Sequence, residues 1–231
     1  MEQSYHAIQD DRAPEPGLKA HGEGAARRVS RGIMKALERN QLVPGQRLVE
    51  TSLAAEYRVG RNAVREAVQW LAAHGVIGIS RHRSAELRRL DAAETLDVLE
   101  VAEAIIGLLA KAASRNFTTA SHGGPLGVAL RETEQAADAP TPGAFARARR
   151  HFYGMLLEIG GNRELQRLFP AVGMHILFAQ YHEAIPLRQC LDDFKAMAVA
   201  IANKDVEHAH AIGRAHIGRL RHAILGGDHH R

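Results

Sequence analysis

The chain contains a single cysteine, Cys190, so no intramolecular disulfide framework can hold it together. It also lacks any run approaching the ~20 consecutive apolar residues that cross a bilayer. Residues 1–23 carry acidic side chains and prolines but no apolar core, which argues against a secretory signal, and cytoplasmic residence is the resulting expectation. Catalytic signatures are missing too: there is no HExxH, no nucleophile elbow and no glycine loop that would cradle phosphate. Those absences count against the enzyme alternative, a histidine-rich metallohydrolase carrying an incidental basic domain, and the chain is read as a non-enzyme. Aromatics make up only 5% of residues, and the one tryptophan, Trp70, is assigned to a core rather than to stacking on bases.

A hydrophobic fraction of 45% over 231 residues suits an ordered globular protein with room for one large domain or two modest ones. The net charge of +4 conceals a sharp asymmetry. Residues 25–89 hold thirteen Lys and Arg against five Asp and Glu, whereas residues 90–231 hold fifteen against sixteen and residues 1–24 two against five. The positive charge is therefore concentrated in one segment the size of a small DNA-binding domain. Such a local excess attracts a polyanion and makes binding salt-dependent.

Within that segment, periodicity predicts a helix over 25–40, a turn at Pro44-Gly45 and a short extended piece over 46–49. A brief helix over 51–57 follows, with Thr51 as its N-cap. A second helix runs over 61–74 and is ended by Gly75. Arg61, Arg65 and Gln69 are spaced four apart and line one side of it, while Val64, Val68 and Leu71 face a small core. A basic, exposed helix with an apolar back fits a DNA major groove. Residues 76–79 and 85–87 read as two strands around the basic tip 80–84, the pattern of a wing. Beyond Asp91 the signal is helical throughout, with helices over about 92–115, one between His122-Gly123-Gly124 and the 139–143 turn, and others over 145–159, 162–169, 172–184, 187–203 and 206–225. The predicted architecture is mainly α: a winged helix-turn-helix followed by an all-helical antiparallel bundle. The corresponding division is a disordered tail over 1–24, a DNA-binding domain over 25–90, an effector-binding and dimerisation domain over 91–226 and a flexible tail over 227–231.

The run Val43-Pro44-Gly45-Gln46-Arg47-Leu48-Val49-Glu50, continued by Val59-Gly60-Arg61-Asn62-Ala63-Val64-Arg65-Glu66-Ala67-Val68-Gln69-Trp70-Leu71 and Gly75, resembles the GntR family of bacterial transcription regulators. Within that family the likeness is to the FadR-like branch, which carries an FCD ligand-sensing domain. Gly60 and Ala63 depart from the family's usual Ser and Pro. The resemblance implies a homodimer that binds a palindromic operator in double-stranded DNA and acts as a repressor relieved by a small-molecule effector. Carried over by position, the DNA-binding residues are Thr51, Arg61, Asn62 and Arg65, with Arg81, His82 and Arg83 in the wing. Arginine's planar fork suits guanine or phosphate oxygens. Glu66 is read as structural, paired inside the domain.

The second half resembles the FCD domain more loosely, through Leu99-Glu100-Val101-Ala102-Glu103, Phe152, Gly161-Asn162, Leu165 and the stretch from Ala200 to Ile217. Many members of the branch hold a divalent metal with one Asp and three His. The matching positions here are Arg149, Tyr153, Phe194 and His216, so only one ligand type survives, and an arginine would repel a cation. No metal or other cofactor is therefore expected. Phe145, Arg149, Phe152, Leu156 and Ile159 share one helical face, which turns Arg149 among apolar neighbours, where an unpaired guanidinium is costly. Arg149, Tyr153, Phe194 and His216 are accordingly taken as the effector-binding set, for an anionic metabolite such as a carboxylate. A metal- or haem-responsive regulator of the same fold is the alternative, through a displaced site using His151 or the histidines at 175, 182, 208, 210, 216 and 222.

Overall fold

Apolar side chains recur every three or four residues along most of this chain, and the helices follow that recurrence. The computed structural model describes residues 24–79 and 85–227. Helix α1 spans Ala25–Glu38, α2 Glu50–Glu56 and α3 Arg61–Ala73. Strands β1 (Arg47–Leu48), β2 (Ile77–Ile79) and β3 (Ala85–Leu87) form one antiparallel sheet in the order β1-β3-β2. Arg47 pairs with Glu86, and Ile77 with Leu87. Val29, Ile33 and Leu37 of α1 are buried with Val64, Ala67 and Leu71 of α3 and with Leu48, Leu53 and Leu87. This is the small core behind a helix-turn-helix and its wing.

One local expectation in the winged unit is corrected. Helix α2 begins at Glu50 with Val49 at its N-cap and no side-chain cap, so Thr51 lies inside the first turn. The 46–49 stretch keeps Val49 extended, and that backbone geometry decides where the helix can start. Gly75 does end α3, with φ +67, a conformation in which a side chain would be strained.

The remaining helices are α4 (Ala92–Asn116), α5 (Gly124–Asp138), α6 (Ala144–Gly160), α7 (Arg163–Leu168), α8 (Met174–Gln180), α9 (Leu187–Ala202) and α10 (Val206–Gly227). A capping box opens α4: Glu94 N–H donates to Asp91 Oδ1 at 2.8 Å, and Asp91 N–H donates to Glu94 Oε2 at 3.1 Å. Gly123-Gly124 does not interrupt the chain as expected. A π-helical turn, Thr119–Gly123, runs directly into α5. Helix α10 lies along α4, and α6 packs on both α4 and α5. The α4–α10 approach depends on small residues, since a Cβ on Gly213 would stand 2.8 Å from the Ile106 carbonyl oxygen. Buried Leu99, Ile106, Phe152, Leu156, Phe194, Ile201 and Ile217 form the bundle core. Of the tails expected over 1–24 and 227–231, residues 1–23 and 228–231 lie outside the described residues, whereas Gly227 is the last residue of α10.

The winged unit rests on the bundle through named polar contacts. Gln180 acts like a strand partner to Leu90: Leu90 N–H donates to Oε1 at 2.9 Å, and Nε2 donates to Leu90 O at 2.8 Å. Glu38, at the end of α1, is ion-paired with Arg150 of α6. The Pro140–Gly143 turn lies against Glu38 and Arg39.

Candidate nucleic-acid interface and sensor core

Helix α3 exposes Arg61, Asn62, Arg65 and Gln69 on the face opposite the buried Val64, Ala67, Val68 and Leu71. Its N-terminus has no side-chain cap, and nothing stands within 4 Å of a Cβ built on Gly60. The Arg61 and Asn62 amides are thus open to an anion, as the ends of helices favour. Thr51 is exposed on the neighbouring α2. Arg65 Nε donates to Glu50 Oε2 at 3.1 Å, with the two side chains 61% and 38% exposed. A pair so exposed adds little stability but holds the guanidinium on one side of α3. Glu66 is exposed and has no ion-pair partner among the described residues, which corrects the internal pairing expected of it. Trp70 is half-buried against the core and stacks on His74 with centroids 3.8 Å apart. The wing residues Arg81, His82 and Arg83 lie outside the described residues.

In the bundle, Tyr153, Phe194 and His216 meet. The Tyr153 hydroxyl and His216 Nε2 are 2.9 Å apart, and His216 Nδ1 lies 2.8 Å from Asp193 Oδ2. Arg219 closes the chain with two bonds to Asp193, at 3.1 Å from Nε and 2.5 Å from Nη2. Phe194 stacks on Phe152 at 4.4 Å and meets Tyr153 edge-on at 5.5 Å. Burial pushes the Tyr153 hydroxyl far above its usual range, so it keeps its proton and donates to His216. Burial also holds His216 below its ordinary value, against the hydrogen bond it donates to Asp193, which favours the cation. The neutral ring therefore accepts at Nε2 and donates at Nδ1. Burial would raise the Asp193 carboxyl, but hydrogen bonds from His216 and Arg219 outweigh it and keep the group low.

Arg149 is positioned otherwise. It is only 8% exposed, and its guanidinium carbon sits 3.4 Å above the centroid of Phe178. Burial lowers its pKa to about 10. It lines a cavity of about 360 Å³, whereas Tyr153, Phe194 and His216 do not line that cavity. So three of the four expected effector residues form one hydrogen-bonded and aromatic cluster, and the fourth opens elsewhere. His151, considered as a displaced metal ligand, bonds Glu132 at 2.7 Å on the outside of α6. Among the described residues, no three His, Cys, Asp or Glu side chains converge on a common point. Sequence reasoning missed Asp193, Arg219 and Phe178. The signal for the first two was the three-residue spacing of His216 and Arg219, which puts them on one face of α10 beside the residue preceding Phe194.

Two family models match the chain: the bacterial regulatory proteins of the gntR family over residues 25–87, and the FCD domain over residues 97–219. A curated relative, the probable D-xylose utilization operon transcriptional repressor of Paenarthrobacter nicotinovorans, is 23% identical over 183 residues, covering 78% of this chain and 80% of its own. In fold the chain is similar to E. coli McbR/YncC, with a TM-score of 0.76 at 15% identity over 88% of this chain and 98% of that one. It is likewise similar to a putative transcriptional regulator GntR from Rhodococcus sp. RHA1, with a TM-score of 0.70 at 20% identity over 87% and 97%. No helix among the described residues is long and apolar enough to cross a membrane. The exposed basic helix, the wing-forming sheet and the helical bundle are thus those of a DNA-binding transcription regulator, not an enzyme, and the chain belongs to the gntR family of bacterial regulatory proteins that carry an FCD domain.

Proposed function

We propose that this regulator is of the FadR-like branch, acts as a homodimeric repressor on a palindromic operator, and releases it when its helical domain binds a small anionic metabolite, most simply a carboxylate. Residues 25–90 read DNA and residues 91–226 sense the ligand and pair two copies. Two reading heads held by a two-fold pair fit two half-sites, which is why a palindrome is expected. Thr51, Arg61, Asn62 and Arg65 would meet the duplex together with the wing's Arg81, His82 and Arg83. The observation that carries the DNA half is the uncapped N-terminus of α3 beside two exposed arginines. Repression is supported by the likeness to the Paenarthrobacter nicotinovorans repressor.

For the sensor half, the supporting observation is Arg149: a guanidinium buried among apolar groups favours an anion beside it. Tyr153, Phe194 and His216, the other residues expected in the effector set, form a hydrogen-bonded and aromatic cluster of their own in the bundle. An effector acts by preferring one dimer geometry, and changes operator affinity only by that preference. The DNA reading is tested by fluorescence anisotropy with duplexes selected from a random library. Replacing Arg61 and Arg65 by alanine should weaken binding by about 1–3 kcal/mol for each lost base contact, and wild-type affinity should fall steeply with salt. Unchanged, salt-insensitive binding by the double variant would refute it.

A further inference from the structure

The cavity that Arg149 lines lies between the two halves of the molecule. Leu37, Glu38 and Asn40 come from α1 of the winged unit, and Phe145, Arg149 and Phe178 from α6 and α8 of the bundle. Its volume of about 360 Å³ falls in the range of small-molecule sites, and such sites favour domain junctions. Apolar side chains make up most of the wall, with Leu37, Phe145, Phe178 and Ile185 among them. Arg149 is more than nine-tenths buried, yet among the described residues it makes no hydrogen bond or ion pair, and the face of Phe178 covers its guanidinium. Glu38 is the sole acidic residue in the described lining, and it is already paired with Arg150. The two arginines and one carboxylate leave one positive charge unmatched. By contrast, the donors and acceptors of Tyr153, His216, Asp193 and Arg219 satisfy one another, so the bundle centre offers an anion no comparable vacancy.

We propose that this cleft between α1 and the bundle, and not the Tyr153–His216 cluster, holds the effector, and that the effector is a monocarboxylate with an apolar body. The inference rests on the anion-sensing reading above and gives it a place. The carboxylate bonds the guanidinium of Arg149, the apolar body lies against Phe145, Phe178 and Ile185, and His175 at the wall offers a neutral ring nitrogen. Because Leu37 and Glu38 form part of the wall, the occupant touches the end of the helix that packs on α3. Occupancy then acts on the reading head directly, by bearing on the end of α1 next to the Glu38–Arg150 tie.

The test is calorimetry of the full chain with acetate, phenylacetate, benzoate and the neutral benzamide. Benzoate and phenylacetate should bind, and benzamide should not. Arg149→Met should weaken benzoate roughly tenfold or more, the scale of a lost charge-assisted bond. Ala146→Leu, on the half-buried lining of the cleft, should do likewise by filling it, with circular dichroism and melting as folding controls. Tyr153→Phe should leave the affinity within about twofold, since it alters only the inner cluster. If Ala146→Leu leaves benzoate binding intact, or if Tyr153→Phe abolishes it, the cleft is the wrong place although the anion-sensing reading stands. If no carboxylate binds the wild-type chain, the anion-sensing reading fails and takes the cleft with it.

Discussion

Single side chains in the bundle centre show how burial fixes protonation. With Tyr153 holding its proton and His216 neutral, each hydrogen bond in the Tyr153–His216–Asp193–Arg219 chain has one donor and one acceptor. Tyr153→Phe removes one bond and should cost about 1 kcal/mol in urea unfolding. Asp193→Ala strands the His216 Nδ1–H in a dry interior and leaves Arg219 without its carboxylate, so about 2–3 kcal/mol is expected. Equal costs for the two variants would contradict this account. At the surface, Gly60 has open space where a side chain would stand, and its φ of −72 suits any residue. Gly60→Ser supplies the missing cap and should raise stability by a few tenths of a kcal/mol, measured by the same unfolding assay.

Between elements, close approach is the controlling variable. Gly213 lets α10 meet α4 closely: a Cβ there would stand 3.2 Å from Gly107 Cα and 2.8 Å from the Ile106 carbonyl oxygen. Backbone cannot swing aside as a flexible side chain can, so Gly213→Ala forces the helices apart and should destabilise by about 1–3 kcal/mol despite alanine's better helix propensity. A stabilised Gly213→Ala protein would show that the crossing has slack. Helix existence was legible from periodicity because an apolar stripe must be buried. The start of α2 and the π-helical turn before α5 were not, since backbone geometry at Val49 and around Gly123 decides them, and composition there points equally to a cap or a break.

For the whole molecule, acid should loosen the fold before it reaches the carboxylate range. Burial, and then the Arg149 and Arg150 guanidinium groups, push His175 down to about 3, and burial holds His216 below 6.5. Below pH 6.5 the unfolded chain takes up protons that the folded chain refuses, so stability falls with falling pH, by at most about 1.4 kcal/mol per pH unit for each histidine. Asp193 adds a later loss: its carboxyl is held low when folded, so its contribution is complete above the ordinary value of 3.8 and disappears as pH drops through the folded one. Urea midpoints should therefore decline from pH 7 to pH 4.5, and His175→Asn should flatten the slope. A midpoint constant over that interval would be incompatible with these neutral rings.

The sequence by itself determined the class of machine. The concentration of arginine over residues 25–89, the four-residue spacing of Arg61 and Arg65, and the inward periodicity of Phe145, Arg149 and Phe152 are local properties of a chain that must bury one face and solvate the other. Those same periodicities correctly sent Arg149 and His216 inside. Only the tertiary structure decided what each of them would meet there. Which acceptor a buried group finds depends on how separate helices are stacked, so Asp193 could satisfy His216, Phe178 could cover Arg149, and α1 could supply the far wall of a cleft without any of this being written in the spacing of residues along one helix.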